Sequence, residues 1–255
     1  MAPDGNIEYA LTRVQADYGR RLGESAWRRL ESSHDLGQYL DAVRTTELAG
    51  WVAAFDKTRD SHAIERHLRL EWQRHVAAVA AWHPHQWQAW LLWLGWLPSL
   101  SLLAQLARAE PAPAWMMTDP VWGPIAQRPL GERAVAFHGT ALDIFQPALD
   151  GSAGIGALWR SHWRTLAPRT DAHTQHLLAA VLRALDNYGQ RLAGENTSAA
   201  ARQQLTERLN RLFRAGAGTV AATLCYLALL AMDLERLRGG LVSRCLFAVP
   251  TEEAA

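Results

Sequence analysis

The stretch WHPHQWQAWLLWLGWLPSL, residues 82–100, holds five tryptophans, two histidines and no charged side chain. Three readings compete for it: a membrane span, a metal site, or the buried seam of a helical protein. No Asp, Glu, Lys or Arg lies between Arg74 and Arg108, which raises the question of a span. Pro84 and Pro98 argue against one. A proline inside a helix removes a hydrogen bond and clashes with the preceding turn. The two are therefore expected to cut the segment into helices of about thirteen and ten residues, short of the roughly twenty a span needs. His83, His85, Gln86 and Gln88 also put polar groups where hydrocarbon would begin. No transmembrane helix is expected here. Trp87, Trp90 and Leu94 share a helical face while Trp93 and Trp96 turn elsewhere. Such breadth predicts a helix enclosed on most sides, or one that lends a face to a partner.

Outward from this segment the pattern is helical almost throughout. Upstream, Ile64, Leu68, Trp72, Val76, Val79 and Trp82 form the stripe of a long helix starting at Asp60 or Ser61. Ile7, Leu11, Val14 and Tyr18 mark a helix over residues 6–22. Ser25 is the expected cap of a short helix through Glu31, and Asp35 of another through Arg44. A further short helix is expected over residues 47–55. Downstream, helices are expected over 157–166, 171–192, 201–213 and 220–247. No alternating β-branched run of strand length interrupts them. The fold class is all-α.

Residues 110–156 differ, because Pro111, Pro113, Pro120, Pro124, Pro129, Pro147, Gly151, Gly154 and Gly156 recur there. That density predicts loops with short helical turns. The zone either joins two domains or drapes over one bundle. A single domain over 1–255 is expected, with 110–156 as its internal boundary if it has one. GENTSAAA, beginning at Gly194, reads as a connector and PTEEAA as a frayed tail.

Composition narrows the functional classes. The 255 residues are 49% apolar and 20% charged, ordinary for a folded protein. Net charge is +1, so no overall field announces nucleic acid or an anionic membrane. The cations are nearly all Arg, which forks onto carboxylates and suits ion-paired interfaces; a GC-rich genome gives the same bias. Cys225 and Cys245 sit in apolar contexts with no C-x-x-C, which favours a reducing compartment. MAPDGNIEYALTRVQ has no basic start followed by an apolar run, so no signal peptide is expected and the protein is expected in the cytoplasm.

Signatures of catalysis are absent from the sequence. There is no G-x-S-x-G, no G-x-x-x-x-G-K-[ST] and no G-x-G-x-x-G. GSAGIG at 151–156 lacks the preceding strand of a phosphate cradle. Ten histidines invite a metal hypothesis. His83 and His85 flank a proline, His173 and His176 stand three apart on a helix, and His62, His67 and His75 stud another. A site needs further ligands, and neither H-E-x-x-H nor a pair of E-x-x-H motifs of the di-iron kind occurs. Surface or half-buried structural histidines are the expected reading, with no metal, no cofactor and no catalytic residue.

Order along the chain carries one resemblance. NIEYALTRVQADYGRRL supplies Tyr9, Arg13 and Ala16; HDLGQYLDAVRTTEL supplies Leu36, Leu40, Val43 and Thr46; IERHLRLEWQRHV supplies Ile64, Glu65 and Leu68. Near the end, YLALLAMDLERLRGGLVSRCLF offers Tyr226, Asp233 and the pair Leu237–Arg238. In this series the chain resembles the C/d family of V/A-type rotary ATPase components. It departs at Leu230, where the family has lysine, at Asp233 in place of glutamate and at Arg236 in place of asparagine. The chain is shorter than typical members, and its middle third matches only loosely.

The resemblance implies a funnel-like bundle of repeated helical units, seated peripherally on the cytoplasmic face of the proteolipid ring. There it receives the central stalk and couples ATP-driven rotation to proton or sodium transport without catalysing any step. Tyr9, Arg13, Asp233 and Arg238 become the candidate motif and interface residues; helix packing and ion pairs within the chain explain them equally. A helical adaptor of another complex, and a histidine-based metal or cofactor protein, are the competing readings.

Overall fold

A computed structural model of the chain describes residues 6–55, 60–108, 111–193 and 199–247. Every regular element among them is helical, so the all-α expectation stands. In chain order the helices are α1 (Ile7–Gly19), α2 (Glu24–Glu31), α3 (Leu36–Arg44), α4 (Ala49–Val52), α5 (Ser61–Trp82), α6 (His85–Leu92) and α7 (Leu100–Leu106). Short turns follow as α8 (Ala114–Met117), α9 (Gly123–Ala126), α10 (Leu130–Phe137) and α11 (Gln146–Leu149). Four longer helices close the chain: α12 (Ile155–Thr165), α13 (Ala172–Ala193), α14 (Ala199–Ala215) and α15 (Val220–Leu246). The connector at 194–198 and the tail at 250–255 lie outside the described residues.

Local chemistry accounts for most boundaries. Asn6 and Asp35 cap α1 and α3 by accepting the backbone N–H of Glu8 and Gln38. Asp171 does the same for α13 through Thr174. Ser25 is a correction: the cap of α2 is Gly23, and Ser25 lies inside the first turn.

Pro98 is a second correction. It does not end the helical path, because residues Trp93–Ser99 tighten into a 3-10 helix that runs on into α7. The tighter i→i+3 pattern lets the proline ring sit where an α-helix would clash. Only Pro84 divides the opening stretch. The helical run His85–Leu106 is consequently 22 residues long and, by length and composition, apolar enough to cross a membrane. Half of its most apolar window is buried within the protein.

The chain divides into two compact units. The first draws on residues 1–71, 81–85 and 169–255, the second on 72–80 and 86–168. Helix α5 therefore contributes to both, and the described part of the Pro/Gly-rich zone lies wholly within the second.

The first unit is organised around α15. From Val220 to Leu230 nearly every side chain of this helix is buried, so it is a core helix rather than an amphipathic surface one. Helices α1, α3, α13 and α14 pack on it. Tyr18 of α1 stacks on Phe213 of α14 with ring centroids 3.8 Å apart, and its hydroxyl donates to Asn210 at 3.0 Å. Gly240 is required by α3, since any Cβ there would overlap the Tyr39 ring and hydroxyl.

The second unit is built on indoles. Trp163 of α12 stacks on Trp90, centroids 4.8 Å apart, and donates its N–H to the Trp90 carbonyl at 2.9 Å. Trp93 and Trp159 each donate to the other's carbonyl at 3.3 Å. Trp72 donates to the Leu94 carbonyl at 2.9 Å. A buried indole N–H needs a partner, and carbonyls of Trp90, of the 3-10 segment and of Trp159 in α12 supply these.

Candidate functional site

The densest polar constellation lies along one side of α15, at Asp233, Arg236, Gly240 and Arg244, spaced three or four residues apart. This spacing lines the residues up along α15 toward the N-terminal helices. Asp233 is buried to 9% exposure and receives the Arg21 Nε–H at 2.7 Å. Arg21 follows α1 directly, so this pair ties the beginning of the chain to its last helix. Burial pushes the Asp233 carboxyl above its usual range, while the Arg21 guanidinium opposes that rise.

One turn on, Arg236 grips two carboxylates of α2. Its Nε meets Glu31 at 2.5 Å, its Nη1 meets Glu24 at 2.8 Å, and its guanidinium lies 4.9 Å from the Trp27 ring centre. These hydrogen bonds raise the Arg236 pKa and lower that of Glu24. At the far end Arg244 donates to the Ser33 and Glu31 carbonyls, satisfying the open C-terminus of α2. Its guanidinium stacks 4.1 Å over the Tyr39 ring. The Tyr39 hydroxyl is fully buried and has no hydrogen-bond partner among the described residues. Desolvation pushes its pKa up to about 12. The arrangement is suited to holding helices together, because each charge is aimed at an opposite charge, a carbonyl or a ring.

The four residues singled out by the sequence are not brought together. Tyr9 is 52% exposed on α1. Arg13 lies over the Trp82 ring at 5.0 Å, a cation–π contact. Asp233 is the buried partner of Arg21. Arg238 reaches Glu65 of α5 at 3.4 Å and Glu235 at 3.7 Å. Leu36, Leu40, Val43, Ile64, Leu68, Tyr226 and Leu237 are all core. Thr46 caps a turn, donating to the Val43 carbonyl and accepting from the Leu48 N–H. Arg21 and Arg244 escaped the sequence reading, which named Arg236 only as a departure from the family pattern; the regular spacing of Arg236 and Arg244 from Asp233 was the available signal.

The histidine pairs separate in the same way. His83 is fully buried, its Nε2 3.0 Å from the Thr223 hydroxyl, and burial lowers its pKa to about 4. His85, two residues on, is exposed, as are His173 and His176. Among the described residues no three His, Cys, Asp or Glu side chains converge in a way that could hold a metal ion. Comparison with known protein families, with curated proteins and with solved structures finds nothing that matches this chain.

Proposed function

We propose that the chain is a non-catalytic subunit of a V/A-type rotary ATPase, seated on the cytoplasmic end of the proteolipid ring as the socket of the central stalk. One observation supports this reading best. Arg238, from the C-terminal motif, pairs at 3.4 Å with Glu65 of the I-E-x-x-L motif, although the two motifs were recognised separately. Asp233 likewise anchors Arg21, directly after the helix that carries Tyr9 and Arg13. Residues picked out by one resemblance thus fall within one unit. The ion-paired helices of that unit suit a stiff body that transmits torque, and the buried indoles of the other unit suit another. In this reading the helical units form a funnel. The protein is peripheral, with no membrane-spanning helix of its own, and Leu92 and Leu97, 46% and 38% exposed, offer apolar contacts to the ring.

The test is purification of the tagged chain from gently solubilised membranes of its own cell, with mass spectrometry of what accompanies it. Recovery of proteolipid and stalk proteins in stable proportion is expected. Recovery of soluble, unrelated proteins alone would overturn the reading and make the chain a helical adaptor of whichever complex it brings down.

A further inference from the structure

A groove of about 310 Å³ runs between α13 and α14 in the first unit. Its polar lining is one-sided in charge. Arg183, Asn187 and Arg191 stand at four-residue intervals on α13, and Gln204 and Arg208 face them from α14. No carboxylate lines it among the described residues. Asp186 and Glu207 belong to the same helices but not to the lining. Alanines at 180, 184 and 201 make the floor shallow, so the longer side chains stand around a gap instead of filling it.

Among the described residues nothing neutralises these arginines. Arg191 spends its Nη1–H on a neutral acceptor, Gln204 Oε1, at 2.5 Å. Arg183 and Arg208 make no hydrogen bond or ion pair with any described residue. Arg21, Arg236 and Arg238, by contrast, each meet a carboxylate. Three unneutralised guanidinium groups around one concavity concentrate positive potential there. Guanidinium forks match the oxygens of a phosphoryl group in geometry and charge, and the Asn187 and Gln204 amides add neutral donors. The volume lies at the small end of ligand sites, which fits a compact ligand and leaves no room for a folded partner segment.

We infer that the α13–α14 groove is an anion site that takes a small phosphorylated ligand, with Arg183, Arg191 and Arg208 as its charge-bearing residues. The site is independent of the rotary-ATPase reading, since none of these residues belongs to the motifs behind it.

Titration calorimetry of the full chain with inorganic pyrophosphate tests the inference. Saturable binding of one pyrophosphate per chain is expected, weakening as salt rises. The double variant Arg183→Gln/Arg208→Gln should weaken it by at least about tenfold, with an unchanged circular dichroism spectrum. Arg202→Gln, which removes one positive charge from α14 outside the groove, should leave affinity within about twofold. The inference fails if pyrophosphate does not saturate, or if the double variant binds as the parent does. It fails equally if Arg202→Gln costs as much as the groove variants, which would indicate a diffuse basic field. Binding confined to an RNA oligonucleotide or to phosphatidylserine vesicles, with none to pyrophosphate, also overturns it.

Discussion

Arg21 and Asp233 meet at 2.7 Å across 212 residues of sequence, each with most of its side chain withdrawn from solvent. A largely buried pair of this kind gains little over a well-packed apolar pair, yet losing one partner strands the other. Asp233→Ala should therefore destabilise the first unit by about 3 kcal/mol, measured by urea unfolding. Arg21→Met combined with Asp233→Leu should recover most of that loss. If the single change is neutral, the pair is not what fastens α1 to α15.

His83 gives the protein an acid-sensitive point. Its pKa falls from 6.5 in the unfolded chain to about 4 in the folded one because burial penalises the charged ring. The unfolded state thus binds the extra proton first, and stability is lost as pH falls through that window. The full effect is about 3 kcal/mol. Asp233 acts with the opposite sign: its raised pKa makes stability fall as pH climbs above 3.8. His83→Gln should flatten the stability profile between pH 6.5 and 4. An unaltered profile would show that another group titrates there.

Tyr39 and Gly240 constrain each other. Tyr39→Phe removes a buried hydroxyl that has no partner among the described residues and is expected to raise stability by about 1 kcal/mol. Gly240→Ala should lower it by about 1–3 kcal/mol through overpacking against the same ring. Thermal melts of the two variants distinguish the effects, and a loss in Tyr39→Phe would mean that the hydroxyl is hydrogen-bonded after all.

The indole cluster sets the stability of the second unit. Trp163→Ala removes a ring stacked against Trp90 and Trp159 together with an N–H bond to the Trp90 carbonyl. A cost of about 3–5 kcal/mol is expected. Trp163→Phe, which keeps a ring but orphans the carbonyl, should cost less. Denaturation followed by tryptophan fluorescence reads both, and equal costs would assign the stabilisation to the hydrogen bond alone.

Periodicity made the helices legible. Of the stripe Ile64, Leu68, Trp72, Val76, Val79 and Trp82, all but the half-buried Trp82 are buried as the spacing requires, and Asp35 caps as its residue type suggests. Pro98 misled because a proline forbids the α-helical hydrogen bond but not the tighter 3-10 path. The charge network was hidden for a different reason: nothing local marks Arg21 as the partner of a residue on the last helix. The α13–α14 groove was obscured by averaging, since a net charge of +1 over the whole chain conceals three arginines on one concavity.

The interrupted course of the first unit has a consequence for how the protein is made. A ribosome delivers Arg21 first and Asp233 212 residues later, roughly ten to forty seconds apart at ordinary elongation rates. During that interval the whole second unit emerges and can complete its own core. The N-terminal helices have no α15 to cover them until then. Their apolar faces are a liability that lasts as long as translation does, and mutations that slow elongation between residues 169 and 220 should raise aggregation without altering the finished protein.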